Sequence, residues 1–185
     1  MNPFDALRFR SLTVLALVAA ALIAGCGDDG DDTTTAKTTT EALAGKPAIV
    51  DAAQLADAAE RRGEPIYWVG ERDGKQIELV ESDSDRVYVR YLDEGVEPGV
   101  RSAAFLTIAT YPEQDPVAAL RREAKKRKNA EIARGKDGGV VLIDPDKPNS
   151  VYVAYPGDQF QIEVYSPDVR EALKLATSGA VDPVR

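Results

Sequence analysis

The sequence of 185 residues contains no histidine. Because histidine is the side chain whose unperturbed pKa lies nearest neutral pH, its absence excludes Ser-His and Cys-His catalysis and every histidine-ligated metal site. The single cysteine can form neither an internal disulfide nor a zinc site built from clustered thiolates. The composition therefore implies no metal and no other cofactor.

Sequence motifs of several enzyme classes are also missing from residues 46–185. This stretch contains no Gly-x-Ser-x-Gly elbow, Ser-x-x-Lys pair, phosphate-binding loop or dinucleotide-binding glycine pattern. Two carboxylates at a set separation would suffice for glycoside hydrolysis, and acidic residues are abundant. We therefore predict that the protein is not an enzyme, with a carboxylate-based hydrolase as the less favoured alternative.

An apolar run near the N-terminus is typical of a secretory signal peptide. Arg8 and Arg10 precede an uncharged stretch from Leu12 to Gly25, which is shorter than the roughly 20 residues that a spanning helix needs. The run ends in Ile23-Ala24-Gly25-Cys26, which resembles the lipobox of bacterial lipoproteins. An ordinary signal peptide that ends near a cysteine is the alternative.

The lipobox resemblance implies that a diacylglyceryl group is transferred to the Cys26 sulfur and that the signal peptide, residues 1–25, is cleaved after Gly25. Two or three acyl chains bind a membrane more firmly than the marginal attachment of one chain. We therefore expect a membrane-anchored, extracytoplasmic protein. Whether the anchor lies in the cell membrane or in an outer membrane stays open.

The chain after Cys26 divides into a tether and one globular domain. Residues 26–45 are rich in aspartate and threonine, which predicts a disordered tether. Residues 46–185 are long enough for a single domain. With a net charge of −8 and an extracytoplasmic location, the protein is not expected to bind nucleic acid.

Capping residues predict three helices in the domain. Asp51 precedes a helix of about 11 residues that ends before Gly63. Asp115 and the proline after it begin a second helix that runs to about Asn129. Asp168 caps a closing helix over about 168–178.

Alternating and β-branched stretches predict the strands. Ile66–Val69 and Ile77–Val80 flank Asp73-Gly74 and predict a hairpin, and strands follow over Arg86–Tyr91 and Phe105–Tyr111. At an offset of 64 residues the pattern recurs, which indicates two αββββ pseudo-repeats over about 50–112 and 114–166. We predict an α+β fold, in which a mainly antiparallel twisted sheet of about eight strands carries all helices on one face.

Strand alternation also predicts a recognition surface. If Val87, Val89 and the matching Val151 and Val153 face the helices, the intervening side chains point to the open face of the sheet. We predict that a partner binds there, at Tyr88, Arg90, Tyr152 and Tyr165, and that each alanine replacement at these positions costs at most about 1 kcal/mol of stability. Ordinary cross-strand packing and a binding role of the basic stretch Arg121–Lys128 are the alternatives.

These expectations together describe a non-catalytic binding or interaction module of the cell envelope. Its partners would be the membrane, through the acyl chains on Cys26, and an unknown envelope protein or ligand. The alternative is a carrier of a small apolar ligand or lipid, which would need a cavity between the helices and the sheet.

We predict that Cys26→Ser releases the protein from membranes, because the acyl chains supply most of the membrane affinity and the acidic tether supplies none. In a two-phase detergent extraction, the wild-type protein should enter the detergent phase and the serine variant the aqueous phase. Retention of the serine variant on membranes after a high-salt wash would contradict the lipobox interpretation.

Overall fold

The structure, a computed structural model, describes residues 45–184. The predicted signal peptide, the lipidation site at Cys26 and all but the last residue of the predicted tether lie outside this range. The helices of the described residues are α1 (Ala52–Arg62), α2 (Pro116–Lys126) and α3 (Val169–Ser178). The strands are β1 (Ala48–Val50), β2 (Tyr67–Trp68), β3 (Lys75–Glu81), β4 (Val87–Asp93), β5 (Leu106–Pro112), β6 (Glu131–Arg134), β7 (Val140–Ile143), β8 (Ser150–Ala154), β9 (Phe160–Tyr165) and β10 (Asp182–Pro183).

Eight strands form one antiparallel sheet, in the order β1-β3-β4-β5-β9-β8-β7-β6. At its centre, β5 pairs with β9 and so joins the first half of the chain to the second. The short strands β2 and β10 form a separate antiparallel pair. The predicted α+β class with a mainly antiparallel eight-stranded sheet is therefore confirmed.

The capping residues set the bounds of α1 and α3. The Asp51 carboxylate accepts a hydrogen bond from the Gln54 amide at 2.8 Å, and the Gln54 side chain accepts one from the Asp51 amide at 3.0 Å. α1 ends at Gly63, whose φ of 65° is a left-handed conformation that glycine adopts without a steric penalty. α3 lies in the same way between Asp168 and Gly179. Both helices have their predicted lengths.

α2 ends earlier than the predicted Asn129. Its N-terminus is as expected, with Asp115 as the cap and Pro116 in the first turn. At its other end, Arg127 has an extended backbone (φ −106°, ψ 125°), and its guanidinium lies 3.0 Å from the buried carboxylate of Asp144. The chain thus leaves the helix where this tertiary ion pair forms.

One face of the large sheet packs against α1 and α3 and forms the main hydrophobic core of the described residues. Leu55 of α1 and Ala172 of α3 are fully buried in this core. The valines predicted to face the helices are at most 2 % exposed and belong to the same cluster. They are Val87, Val89, Val151 and Val153.

α2 packs on the opposite face of the sheet, which corrects the prediction that all helices lie on one face. Leu120 of α2 is 1 % exposed and clusters with Leu142 and Ala154. These two strand residues alternate with core valines of β7 and β8, so they point away from α1 and α3. An apolar stripe indicates that a helix is packed, but it does not specify which face of a sheet covers it.

The predicted hairpin between Ile66–Val69 and Ile77–Val80 is wrong. The second segment belongs to β3, but β3 pairs with β1, a strand that the sequence did not indicate. The first segment crosses the helix-facing side of the sheet, where β2 pairs with β10. There the backbone amide of Tyr67 donates to Thr110 Oγ1 at 3.2 Å. A side chain thus accepts the hydrogen bond that a partner strand in a hairpin would otherwise have accepted.

Candidate functional site

The sheet face opposite α1 and α3 carries four tyrosines, and we call it the tyrosine face. The tyrosines are Tyr88, Tyr111, Tyr152 and Tyr165. On its central row, Tyr88 of β4 lies opposite Ala109 of β5, which in turn lies opposite Glu163 of β9. Glu163 also lies opposite Tyr152 of β8. The strand register thus places phenol rings on both sides of one small residue and one carboxylate.

The register also places all the predicted partner-binding residues on the tyrosine face. They are Tyr88, Arg90, Tyr152 and Tyr165, and each is partly exposed. Their surroundings differ, because Tyr88 and Tyr165 line one pocket, Tyr152 lies beside α2, and Arg90 is held by a buried carboxylate. Their role in binding stays a prediction.

Arg90 links the loop between β4 and β5 to the sheet through its side-chain contacts. Its guanidinium pairs with the neighbouring Glu78 of β3, whose carboxylate is fully buried. It also donates to the Val100 carbonyl at 2.7 Å and lies 5.4 Å from the centre of the Phe105 ring. Glu78 accepts a further hydrogen bond from the Gly99 amide. Arg90 is therefore occupied by structural contacts.

Glu163 lies at the centre of the tyrosine face and is held by two hydroxyl groups. Ser150 donates to its Oε1 and Tyr111 donates to its Oε2, both at 2.6 Å. Within residues 45–184, none of the ion pairs includes Glu163. Because an ionised carboxylate has about four acceptor positions, Glu163 retains the capacity to bind a donor from a ligand.

The phenols beside Glu163 remain protonated well above neutral pH. Burial and the hydrogen bond to Glu163 raise the pKa of Tyr111 far above its usual value of 10. Burial and the negative charge of Glu163 raise the pKa of Tyr152 to about 12, although Arg127 has the opposite effect. At physiological pH both phenols are therefore hydrogen-bond donors rather than general bases.

A small pocket of about 210 Å³ opens above Ala109. Tyr88, Tyr111 and Tyr165 form its walls, and Glu163 lines one side. The rings of Tyr88 and Tyr111 meet edge to face, with centres 6.2 Å apart and planes at 86°. The Tyr165 hydroxyl donates to a backbone carbonyl of the β4–β5 connection at 2.8 Å, which fixes the third wall. The pocket is therefore built from side chains that are already held in place.

A wider groove of about 510 Å³ adjoins this pocket and shares Tyr111 and Glu163 with it. Arg86 lies over the Tyr111 ring, 5.6 Å from its centre, and Asp85 stands at the rim. On the side of α2, the guanidinium of Arg127 lies 6.0 Å from the centre of the Tyr152 ring. Charges of both signs around aromatic rings favour a polar ligand over an apolar one.

Tyr111 and Arg127 contribute to this surface, but neither is among the four predicted partner-binding residues. Tyr111 continues the alternation of Thr107 and Ala109 on β5, so its signal was present. Arg127 was placed in the basic stretch Arg121–Lys128. Its contact with Tyr152 depends on the face that α2 covers, and no local pattern encodes that choice.

Comparison of the chain with protein-family models, curated proteins and solved structures gives no match. Over residues 45–184, no group of three or more histidine, cysteine, aspartate or glutamate side chains is placed to hold a metal ion. Within that same range, every helix is too short or too polar to span a bilayer. The chemistry of the site itself is therefore the basis for a function.

We predict that Arg90→Ala destabilises the domain by about 3 kcal/mol, because it leaves the buried charge of Glu78 without its partner. This revises the expectation of at most about 1 kcal/mol, which we keep for Tyr88→Ala. Urea unfolding measures both values. Joint replacement of Arg90 by Met and Glu78 by Leu should recover most of the loss, and an Arg90→Ala variant as stable as Tyr88→Ala would contradict the assigned role.

Proposed function

We propose that the chain is a membrane-anchored, extracytoplasmic lipoprotein whose domain is a binding module without catalytic activity. The anchor is the acylated Cys26 that the lipobox implies, and the binding surface is the tyrosine face. The observation that carries this proposal is the group of partly exposed tyrosines around Glu163, a carboxylate without an ion-pair partner in the described part of the chain. Tyrosine is among the residues that contribute most to binding energy when a partner desolvates them.

We also infer that the two halves of the chain, about 50–112 and 114–166, are αββββ pseudo-repeats. Tyr152 follows Tyr88 by 64 residues, the same offset that relates the first residue of α2 to that of α1. In the sheet, these two tyrosines flank the central β5–β9 pair from opposite sides. The helices depart from this symmetry, because α1 and α2 pack on opposite faces. A duplication would account for the paired tyrosines.

A carrier of a small apolar ligand or lipid is the second candidate. Such a protein needs a cavity between the sheet and the helices α1 and α3. The side chains in that layer, among them Val89, Ile108 and Val164, are fully buried against each other. The pocket above Ala109 and the adjoining groove lie on the other face and are lined largely by tyrosines and charged residues. These observations favour a module that binds a polar partner.

The test is photo-crosslinking on intact cells, with the crosslinking amino acid at Gln161 on the tyrosine face. We expect an adduct that mass spectrometry identifies, and we expect it to be lost when Tyr88 and Tyr152 are both replaced by alanine, because both rings flank the binding surface. The same amino acid at Lys174, which is exposed on α3, should give no such adduct.

The matched control is Tyr155→Ala, because Tyr155 is also partly exposed but stacks on Tyr67, away from the tyrosine face. This variant should keep the adduct. An adduct that survives the loss of Tyr88 and Tyr152, or one that forms only from positions within Arg121–Lys128, would overturn the proposed surface. In the second case, the basic side of α2 would be the binding site.

A further inference from the structure

The pocket above Ala109 has the size and the lining of a site for a small charged group. Its volume of about 210 Å³ is below the roughly 300 Å³ at which pockets for drug-sized ligands begin. Ala109 is 2 % exposed and leaves a gap between the larger side chains of Tyr88 and Glu163, which lie opposite it on the neighbouring strands. A bulky residue at this position would fill the gap.

The walls of the pocket favour a cation. The faces of phenol rings carry partial negative charge and attract ammonium and guanidinium groups. The perpendicular rings of Tyr88 and Tyr111, together with Tyr165, enclose the space on several sides. Tyr111 already attracts one cation of the protein, because the Arg86 guanidinium lies 5.6 Å from its centre. Arg86 lines the adjoining groove and does not line the pocket itself.

The charge of the pocket is a second, independent indication that its ligand is a cation. Glu163 is partly buried, and the hydroxyl groups of Ser150 and Tyr111 donate hydrogen bonds to it. Hydroxyl donors orient a carboxylate but do not neutralise it, and a partly buried charge without an ion pair is costly. No lysine or arginine lines the pocket. Its lining therefore has a net negative charge that a cationic ligand would compensate.

We infer that the pocket above Ala109 binds an alkylammonium group, with Glu163 as the ion-pair partner and the tyrosine rings as the walls. This inference rests on the proposed binding function of the tyrosine face and names its ligand class. A bare metal ion fits less well, because Glu163 is the one carboxylate in a lining otherwise made of aromatic, hydroxyl and methyl groups. The alkyl part of an organic cation would contact the rings while its nitrogen faces Glu163.

The test is a titration of the full chain, purified in a non-ionic detergent and labelled with ¹³C in its alanine methyl groups. Choline and ethanolamine are the probes for quaternary and primary ammonium groups, and 3,3-dimethylbutan-1-ol is the uncharged isostere of choline. We expect a saturable shift of the Ala109 methyl resonance with at least one cation and binding of the isostere that is about tenfold weaker or less. Sodium chloride at the same ionic strength should give no saturable shift.

Two variants with the same change in net charge separate the pocket from general electrostatics. Glu163→Gln should weaken cation binding by about tenfold, because it removes the ion-pair partner. Glu131→Gln, at an exposed position on the edge strand β6, should leave the affinity unchanged. The preference between choline and ethanolamine then shows which type of ammonium group the pocket accepts.

The inference is overturned if neither cation shifts the Ala109 resonance, if the uncharged isostere binds as well as the tighter-binding cation, or if Glu163→Gln binds like the wild type. Such a result leaves the crosslinking test of the tyrosine face untouched, because that experiment detects any partner of the surface. Conversely, a cation that binds while the crosslinked adduct survives the loss of Tyr88 and Tyr152 would refute the larger binding surface alone.

Discussion

The pairing of β5 with β9 is the contact on which both faces of the sheet depend. It joins the two halves of the chain and aligns Ile108 with Val164 on one face and Ala109 with Glu163 on the other. A slip of one residue would turn the buried side chains outward and would bring Glu163 into the hydrophobic core. The helix-facing core and the tyrosine face are therefore specified by the same register. Because burial of the core stabilises this register, it also fixes the positions of the side chains on the tyrosine face.

The parts of the fold that local chemistry determines could be predicted from the sequence. The caps Asp51, Asp115 and Asp168 located the three helix starts, since capping involves residues only two or three positions apart. The alternation of side chains along the strands identified the buried valines and the residues on the opposite face of the sheet. The side of the sheet that α2 covers, and the pairing of β2 with β10, could not be predicted, because both depend on residues far apart in the chain. Pro183 in β10 also gives no strand signal.

In the candidate site too, the local features could be predicted from the sequence and the contacts between strands could not. Tyr88, Tyr152 and Tyr165 share a face because of alternation, which the sequence displays. Arg90 and the buried Glu78 with which it pairs lie on two different strands. The sequence around an arginine does not reveal whether it has such a partner in the fold. The hydroxyl groups around Glu163 likewise come from β5 and β8, so they could be recognised only in the assembled sheet.

These contacts give the carboxylates of Glu78 and Glu163 opposite roles. Glu78 is fully buried and paired with arginine, so its charge is compensated within the fold. Glu163 is partly exposed and bonded to hydroxyl groups, so its charge is available to a ligand. Functional groups commonly lower the stability of the fold that carries them.

The free energy of unfolding of Glu163→Gln tests this account most directly, because glutamine keeps the shape and one of the two acceptor oxygens but removes the charge. Urea unfolding should give a stability within about 0.5 kcal/mol of the wild type, or higher. Glu78→Gln, measured in parallel, should lose about 3 kcal/mol. If Glu163→Gln instead loses more than about 2 kcal/mol, Glu163 holds the sheet together and the tyrosine face is not organised around a carboxylate available for binding.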